Sequence, residues 1–125
     1  MNETPTKDGA AQQPIPAAWR GTLREVVRAF TEGDYGLERG VGGVEPVPAR
    51  LAEQIRSYVS DYGATLVELA DDTWKTSVAQ WYGQHWEFLL DLWTAEEGRS
   101  DLVLSGRVTE AAGAYRFTLH LVYVP

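Results

Sequence analysis

The chain contains no cysteine. That absence removes disulfides, thiol nucleophiles and thiolate metal sites together, and it suits a cytoplasmic setting, where disulfides are rare. Histidine is nearly as scarce. His85 and His120 are the only two, and neither belongs to an H-x-x-x-H or H-x-x-E-H spacing, so no metal is expected. Long apolar runs are missing as well: no stretch approaches the ~18 residues that cross a membrane. The opening, MNETPTKDGAAQQPIP, has neither the basic start nor the apolar segment of an export signal. Positive charge is the last shortage. Eleven Lys and Arg stand against eighteen Asp and Glu, a net charge of −7. Binding to nucleic acid is therefore not expected, because phosphate contacts come from cations that displace counterions. An acidic protein more readily meets a basic partner, although solubility alone is a sufficient use for such a charge.

What is present is enough for one core. At 125 residues, 44% hydrophobic and 23% charged, the composition is that of a single soluble domain. Residues 1 to 14 are polar, hold Pro5 and Pro14, show no periodicity and are expected to form a disordered tail ahead of one α+β domain at 15–125. Pro16 marks a helix start. After it Trp19, Leu23, Val26, Val27 and Phe30 fall on one helical stripe, and Gly33 stops the helix. Arg20, Arg24 and Arg28 stack along the opposite side, a ridge that reads either as a solvated face paired with carboxylates or as an anion contact.

Residues 33 to 46 hold five of the twelve glycines and predict a long connection. The run Gly40-Val41-Gly42-Gly43 invites a phosphate-loop reading. It lacks the following Lys-Ser or Lys-Thr, and a helix precedes it where a strand should. A second helix is predicted from Val47 to Tyr62, with Leu51, Ile55, Tyr58, Val59 and Tyr62 on its stripe and Gly63 beyond its end. Residues 64 to 70 read as a strand with Thr65, Val67 and Leu69 facing inward. For residues 74 to 84 both a short helix and a strand fit, and a strand ending at the Tyr82-Gly83-Gln84 turn is the reading adopted.

The C-terminal third carries the clearest pattern. Trp86, Phe88, Leu90 and Leu92 alternate with Glu87, Leu89, Asp91 and Trp93, which is the period of a half-buried strand. An acidic turn follows, then Leu102, Leu104, Gly106 and Val108 restart the alternation. A turn at Ala111 to Ala114 leads into Tyr115, Phe117, Leu119, Leu121 and Tyr123 on one face. A register with Val108 opposite Phe117 sets Leu104 opposite Leu121. The helical stripes need a large apolar surface, and this face supplies it.

The other face displays Glu87, Asp91, Trp93, Ser105, Arg107, Thr109, Arg116, Thr118 and His120. In that register Asp91, Ser105 and His120 form a row. A nucleophilic triad needs the imidazole between serine and carboxylate, whereas here the serine is in the middle, away from any strained turn or oxyanion donors. No catalytic residue is assigned. An ion pair of Asp91 with Arg107 is the simpler use of the face. The turn Glu96-Glu97-Gly98-Arg99-Ser100-Asp101 lacks the alternating oxygen ligands of a calcium loop, and its Arg99 is expected to pair with Glu97 or Asp101. Trp93 stands on the polar side, either covered or an interface anchor. The binding candidates are thus Asp91, Trp93, Glu96, Glu97, Arg99, Asp101, Arg107 and His120.

The string W-E-F-L-L-D-L-W-T-A-E-E-G-R-S-D-L-V-L at Trp86 to Leu104 resembles a family of small bacterial proteins of unknown function sharing a D-L-W-T-x-E-E-G-R-S-D-L motif. The resemblance implies two N-terminal helices before an antiparallel sheet, and no established activity. A helix ending in Gly33-Asp34-Tyr35 before a curved sheet also resembles the nuclear-transport-factor-type cone, which implies a pocket between helices and sheet.

The expected fold is α+β, with two N-terminal amphipathic helices on one face of a four- or five-stranded, mostly antiparallel sheet. The expected function is a non-catalytic binding or protein-interaction domain of the small acidic immunity or regulator type. It would be cytoplasmic, without cofactor, docking a basic partner through Trp93 and the acidic turn. The alternative is a small-molecule-binding or enzymatic cone, which needs a cavity of ~300 Å³. A third use is assembly: the C-terminal strand offers an edge through which a monomer becomes a homodimer.

Overall fold

Period-2 alternation over the last forty residues becomes three long antiparallel strands in the computed structural model, which describes residues 5–125. In chain order the elements are β1 (Gln13–Pro14), α1 (Ala17–Thr31), α2 (Ala49–Tyr62), β2 (Leu66–Val67), a 3₁₀ turn at Asp71–Lys75, β3 (Val78–Trp81), β4 (Trp86–Thr94), β5 (Gly98–Ala111) and β6 (Ala114–Tyr123). The fold is α+β. The sheet has six strands in the order β1-β3-β4-β5-β6, with β2 also pairing β4. The one strand beyond the four or five expected is β1, whose two residues are too few to show alternation, and the strand expected at 64–70 shrinks to the two residues of β2.

The helical stripes read from the sequence face the sheet. Trp19, Leu23, Val26 and Val27 are fully buried. The Trp19 ring meets Trp86, Tyr115 and Phe117 edge-on, with centroids 5.5, 5.9 and 6.1 Å away, a favourable aromatic geometry. Pro48 caps α2, and Gly63 closes it at φ +85°, a backbone state that glycine adopts without penalty. Ile55 and Val59 join the core, while Leu51, Tyr58 and Tyr62 pack half-buried at its margin. The arginine ridge is engaged by the fold. Arg20 donates to the Ile15 carbonyl, Arg24 to Leu69 O at 3.1 Å and to the Asp71 carboxylate, and Arg28 lies 3.7 Å from Glu68.

Register departs from simple alternation in β6. Val108 faces Phe117 as expected, but Leu104 faces Val122 instead of Leu121, because His120 is an extra residue between Leu119 and Leu121. A bulge of one residue moves every later side chain to the opposite face. Val122 is fully buried as a result, and Leu121 is 37% exposed. The predicted Asp91, Ser105 and His120 row does not form: the bulge sets Ser105 opposite Leu121, and the β4–β5 register separately sets Leu89 opposite Ser105 and Asp91 opposite Val103. On the inner face Gly106 lies opposite Phe88. A Cβ there would come within 2.5 Å of the Phe88 ring and 2.8 Å of the Thr118 carbonyl oxygen, so only glycine fits under that ring.

Elsewhere side chains complete the sheet. On one edge of β4, β3 pairs Trp86 to Leu89 and β2 pairs Trp93 and Thr94. Between them the backbone of Asp91 is left over. Its N–H donates to Ser77 Oγ at 2.9 Å and its carbonyl accepts Thr73 Oγ1 at 2.7 Å, which explains why both hydroxyl residues are buried. Ser100 does the same where β4 and β5 lose register, donating to Leu92 O at 2.8 Å. The outer edge of β6 is also taken. Phe117 N–H donates to Gly43 O and its carbonyl accepts Glu45 N–H, each at 2.8 Å. The Gln54 amide bridges both backbone groups of Val122, and Val124 N–H reaches Tyr58 Oη. The glycine-rich connection is therefore an edge cover, and the C-terminal strand offers little open ladder for a second copy.

Three local expectations are corrected. Leu66 and Leu69 face inward, where the sequence suggested Thr65, Val67 and Leu69; Thr65 is exposed and held by Glu96. Trp74 belongs to the 3₁₀ turn, and the following strand starts only at Val78. Residues 5–14 lie against the sheet, where a tail was expected: Gln13 and Pro14 pair with Ala79 and Val78, and Trp86 Nε1 donates to Thr6 O at 2.8 Å. Residues 1–4 of that expected tail lie outside the described range.

Candidate functional site

Helices cover one face of the sheet, and the other carries most of the side chains singled out as binding candidates. Three rows cross it. The first is Glu87, Arg107 and Thr118; the second is Leu89, Ser105 and Leu121; the third is Asp91, Val103 and Tyr123. Leu89 and Leu121, each 37% exposed, flank the small Ser105 and form an apolar strip between the polar Glu87–Arg107–Thr118 row and a row in which the buried Val103 separates Asp91 from Tyr123. Alternation places Leu89 on this face, whereas Leu121 arrives only through the bulge.

At one end of the face four titratable groups gather. His85 Nε2 is 3.0 Å from Glu87 Oε2, and Glu87 faces Arg107 across the ladder. The bulge brings His120 in beside them. Its imidazole is shifted below the usual histidine range, first by burial and then by the Arg107 charge, with Glu87 opposing and His85 adding to the effect. The predicted pair of Asp91 with Arg107 does not form, because Glu87 occupies the place opposite Arg107. Sequence reading missed His85. Its signal was present: residues 85 and 87 share a face when the strand is extended.

At the other end an open hollow of about 430 Å³ is lined by Asp91, Arg99, Asp101, Val103 and Val124. Three of the expected binding residues thus meet in one place. Asp91 accepts a hydrogen bond from the Thr76 hydroxyl. Arg99 is exposed and stands opposite Trp93 in the ladder. The pairing expected for Arg99 with Glu97 or Asp101 is not among the ion pairs of the described residues.

The acidic turn itself is committed to the fold. Glu96 accepts from the Thr65 N–H at 2.9 Å and from its hydroxyl at 3.2 Å. The Thr65 amide, with the residue's own amide, holds its carboxyl below the ordinary glutamate value. Glu97 accepts the Tyr62 hydroxyl at 2.8 Å and the Thr94 hydroxyl at 3.2 Å. Tyr62 also accepts the Asp101 N–H at 3.2 Å. That bond lowers the phenol's pKa, but Glu97, burial and the neighbouring charges together raise it. Trp93 is half-buried, its ring lying over Gly98 and packed at the margin of the core. These contacts tie the β4–β5 turn to α2 and β2.

The space between α1 and the sheet is filled by Trp19, Phe30, Trp86, Phe88 and Phe117. The hollow of about 350 Å³ near the helices opens at the rim instead, among Phe30, Tyr35, Arg56, Val59 and Leu66. Among the described residues there is no cluster of three or more His, Asp or Glu placed to hold a metal ion. Among the described residues no helix is long and apolar enough to cross a membrane.

No curated protein and no solved structure is similar enough to this chain to stand beside it. Residues 27–125, which contain the Trp86 to Leu104 string, match the Domain of unknown function (DUF7668), and the chain belongs to that family.

Proposed function

We propose that this chain is a non-catalytic protein-interaction domain, of the small acidic immunity or regulator type, that docks a basic partner on the uncovered face of its sheet. The observation that carries the reading is the exposed Leu89–Ser105–Leu121 strip, bordered by Asp91 and by Asp101 in the adjoining hollow. An apolar centre with a charged rim is the common anatomy of a protein interface. The net charge of −7 favours a cationic partner through long-range attraction. Glu96 and Glu97, engaged by Thr65, Tyr62 and Thr94, act through the fold in this reading, and the contact itself falls to Asp91, Asp101 and the two leucines.

The test compares capture of cellular proteins by the immobilised wild-type chain and by a Leu89→Arg, Leu121→Arg double variant whose circular dichroism is unchanged. A basic protein retained by the wild type and lost by the variant is the expected result. Equal retention by both, or none by either, overturns the reading.

A further inference from the structure

Away from the uncovered face, at the end of the sheet where β3, β4 and β6 begin or end, a cation is already seated on aromatic rings. Lys7 Nζ lies 5.4 Å from the Trp81 ring centroid and 5.8 Å from that of Trp86, and 3.4 Å from Glu110 Oε1. Trp81 and Trp86 are neighbours in the ladder, with centroids 4.7 Å apart and planes inclined at 59°. Tyr115 closes the group, 6.1 Å from Trp86 at 74°. Two indoles set at an angle, with a carboxylate beside them, make the arrangement that recognises alkylammonium groups: ring faces attract the cation, and the carboxylate neutralises it.

The segment that delivers Lys7 is lightly attached. Residues 6–12 are all exposed. Apart from the two-residue strand β1, the attachments are the Trp86 indole on Thr6 O, the Gln80 amide on Gly9 O at 3.0 Å, and the buried Pro5. Few buried apolar contacts and many exposed backbone bonds are the features of a segment that opens locally at small cost. The Lys7 ammonium is itself on the open side, with a side chain 57% exposed.

We infer that Trp81, Trp86 and Glu110 form an alkylammonium-binding site that Lys7 fills in cis, so that the N-terminal segment is a strap competing with an external ammonium group. The inference is independent of the outer-face reading, which uses none of these residues. The external group is a quaternary or primary ammonium, carried by a small molecule or by a lysine side chain of a peptide. Because strap and ligand use the same rings, and Trp86 is 1% exposed with the strap in place, removing the Lys7 side chain lets an external ammonium group take its position.

The experiment follows the Trp81 and Trp86 indole N–H resonances of the full chain at constant ionic strength. Tetramethylammonium chloride and a tri-lysine peptide are the probes, with sodium chloride as the control. In Lys7→Ala at least one probe is expected to give saturable shifts, on the order of ten-fold tighter than in the wild type, the range a desolvated cation on aromatic faces supports. Which probe saturates at lower concentration tells the small-molecule source from the peptide source. Adding Trp81→Ala to Lys7→Ala abolishes the shifts, and adding the milder Glu110→Gln weakens them several-fold. Absence of saturation in Lys7→Ala with both probes, or equal affinity in Lys7→Ala and the wild type, overturns the inference.

Discussion

The middle of the sheet and its margins are held together by different means. In the middle, β4, β5 and β6 pair backbone to backbone over long runs, and their inner face is closed by volume, with Phe88, Leu90, Leu104 and Val108 at 0 to 1% exposure. At the margins the ladder is interrupted, and the hydroxyls of Thr73 and Ser77 and the amide of Gln54 replace the missing strand. The first arrangement fails when volume changes, whereas the second fails when one hydrogen-bonding atom is lost. Substitutions chosen to separate volume from hydrogen bonding should therefore fall into two classes.

The largest effect is expected at Phe88, a fully buried ring in the central strand. Phe88→Ala should cost about 3–5 kcal/mol by the usual penalty for emptying an aromatic core site, read as a drop in the denaturant midpoint with little change in slope. Gly106→Ala comes next. The added methyl would press on the Phe88 ring and on the Thr118 carbonyl, at about 2–3 kcal/mol, the upper part of the range for an overfilled core. A double variant, Phe88→Leu with Gly106→Ala, sharpens the point. If the ring is the main obstacle, the two changes are non-additive and the double variant recovers part of the loss, which a double-mutant cycle on chemical denaturation measures.

Sequence reading succeeded where volume decides and failed where single atoms do. The stripes of α1 and the inner face of β4 were legible because apolar spacing at 3.6 and 2.0 reports directly on burial. The β5–β6 register was legible only as far as Gly106. Nothing in Leu119-His120-Leu121 marks the extra residue, since an apolar side chain on either side of a bulge satisfies the alternation equally well. The same limit applied to the candidate surface. Asp91, Arg107 and His120 were placed on the uncovered face, but their partners depended on register, so Glu87 and His85 surround Arg107 and His120 where Asp91 had been expected. Glu96 and Glu97 were legible as an acidic turn, yet their commitment to Thr65 and Tyr62 arises from contacts more than thirty residues apart in sequence.

Margins should respond in the second way. Thr73→Val keeps the shape of a fully buried side chain but strips the donor from the Asp91 carbonyl. The expected loss is about 2 kcal/mol, the ordinary penalty for a buried acceptor left unpaired, and a similar loss in Thr73→Ser, which keeps the hydroxyl, would refute the hydrogen-bond account. Gln54→Leu is expected to cost less, about 1 kcal/mol, because the Gln54 amide is only half-buried at the sheet edge. Its more telling readout is association. Without the amide the Val122 backbone becomes an open edge, so elution in size-exclusion chromatography should become concentration-dependent in the variant and not in the wild type.

The smallest effect belongs to His120, where the margin meets the uncovered face. Burial and the Arg107 charge hold its imidazole below the usual histidine range, so the unfolded chain takes up its proton at a higher pH than the folded one does. For a group whose folded pKa is depressed, the contribution to stability is fully present above the unfolded value, about 6.5, and is lost as the pH falls through that value towards the folded one. Lowering the pH from 7.5 to 5.5 should thus destabilise the wild type more than His120→Gln, which cannot titrate. Because the residue is only half-buried, the difference should be small, and comparing thermal midpoints of the two proteins at both pH values detects it. The sign carries the information. A wild type that gains stability relative to His120→Gln on acidification would mean that Glu87 governs the imidazole and that Arg107 points away. In that case the bulge would serve an ion pair instead of opposing a positive charge.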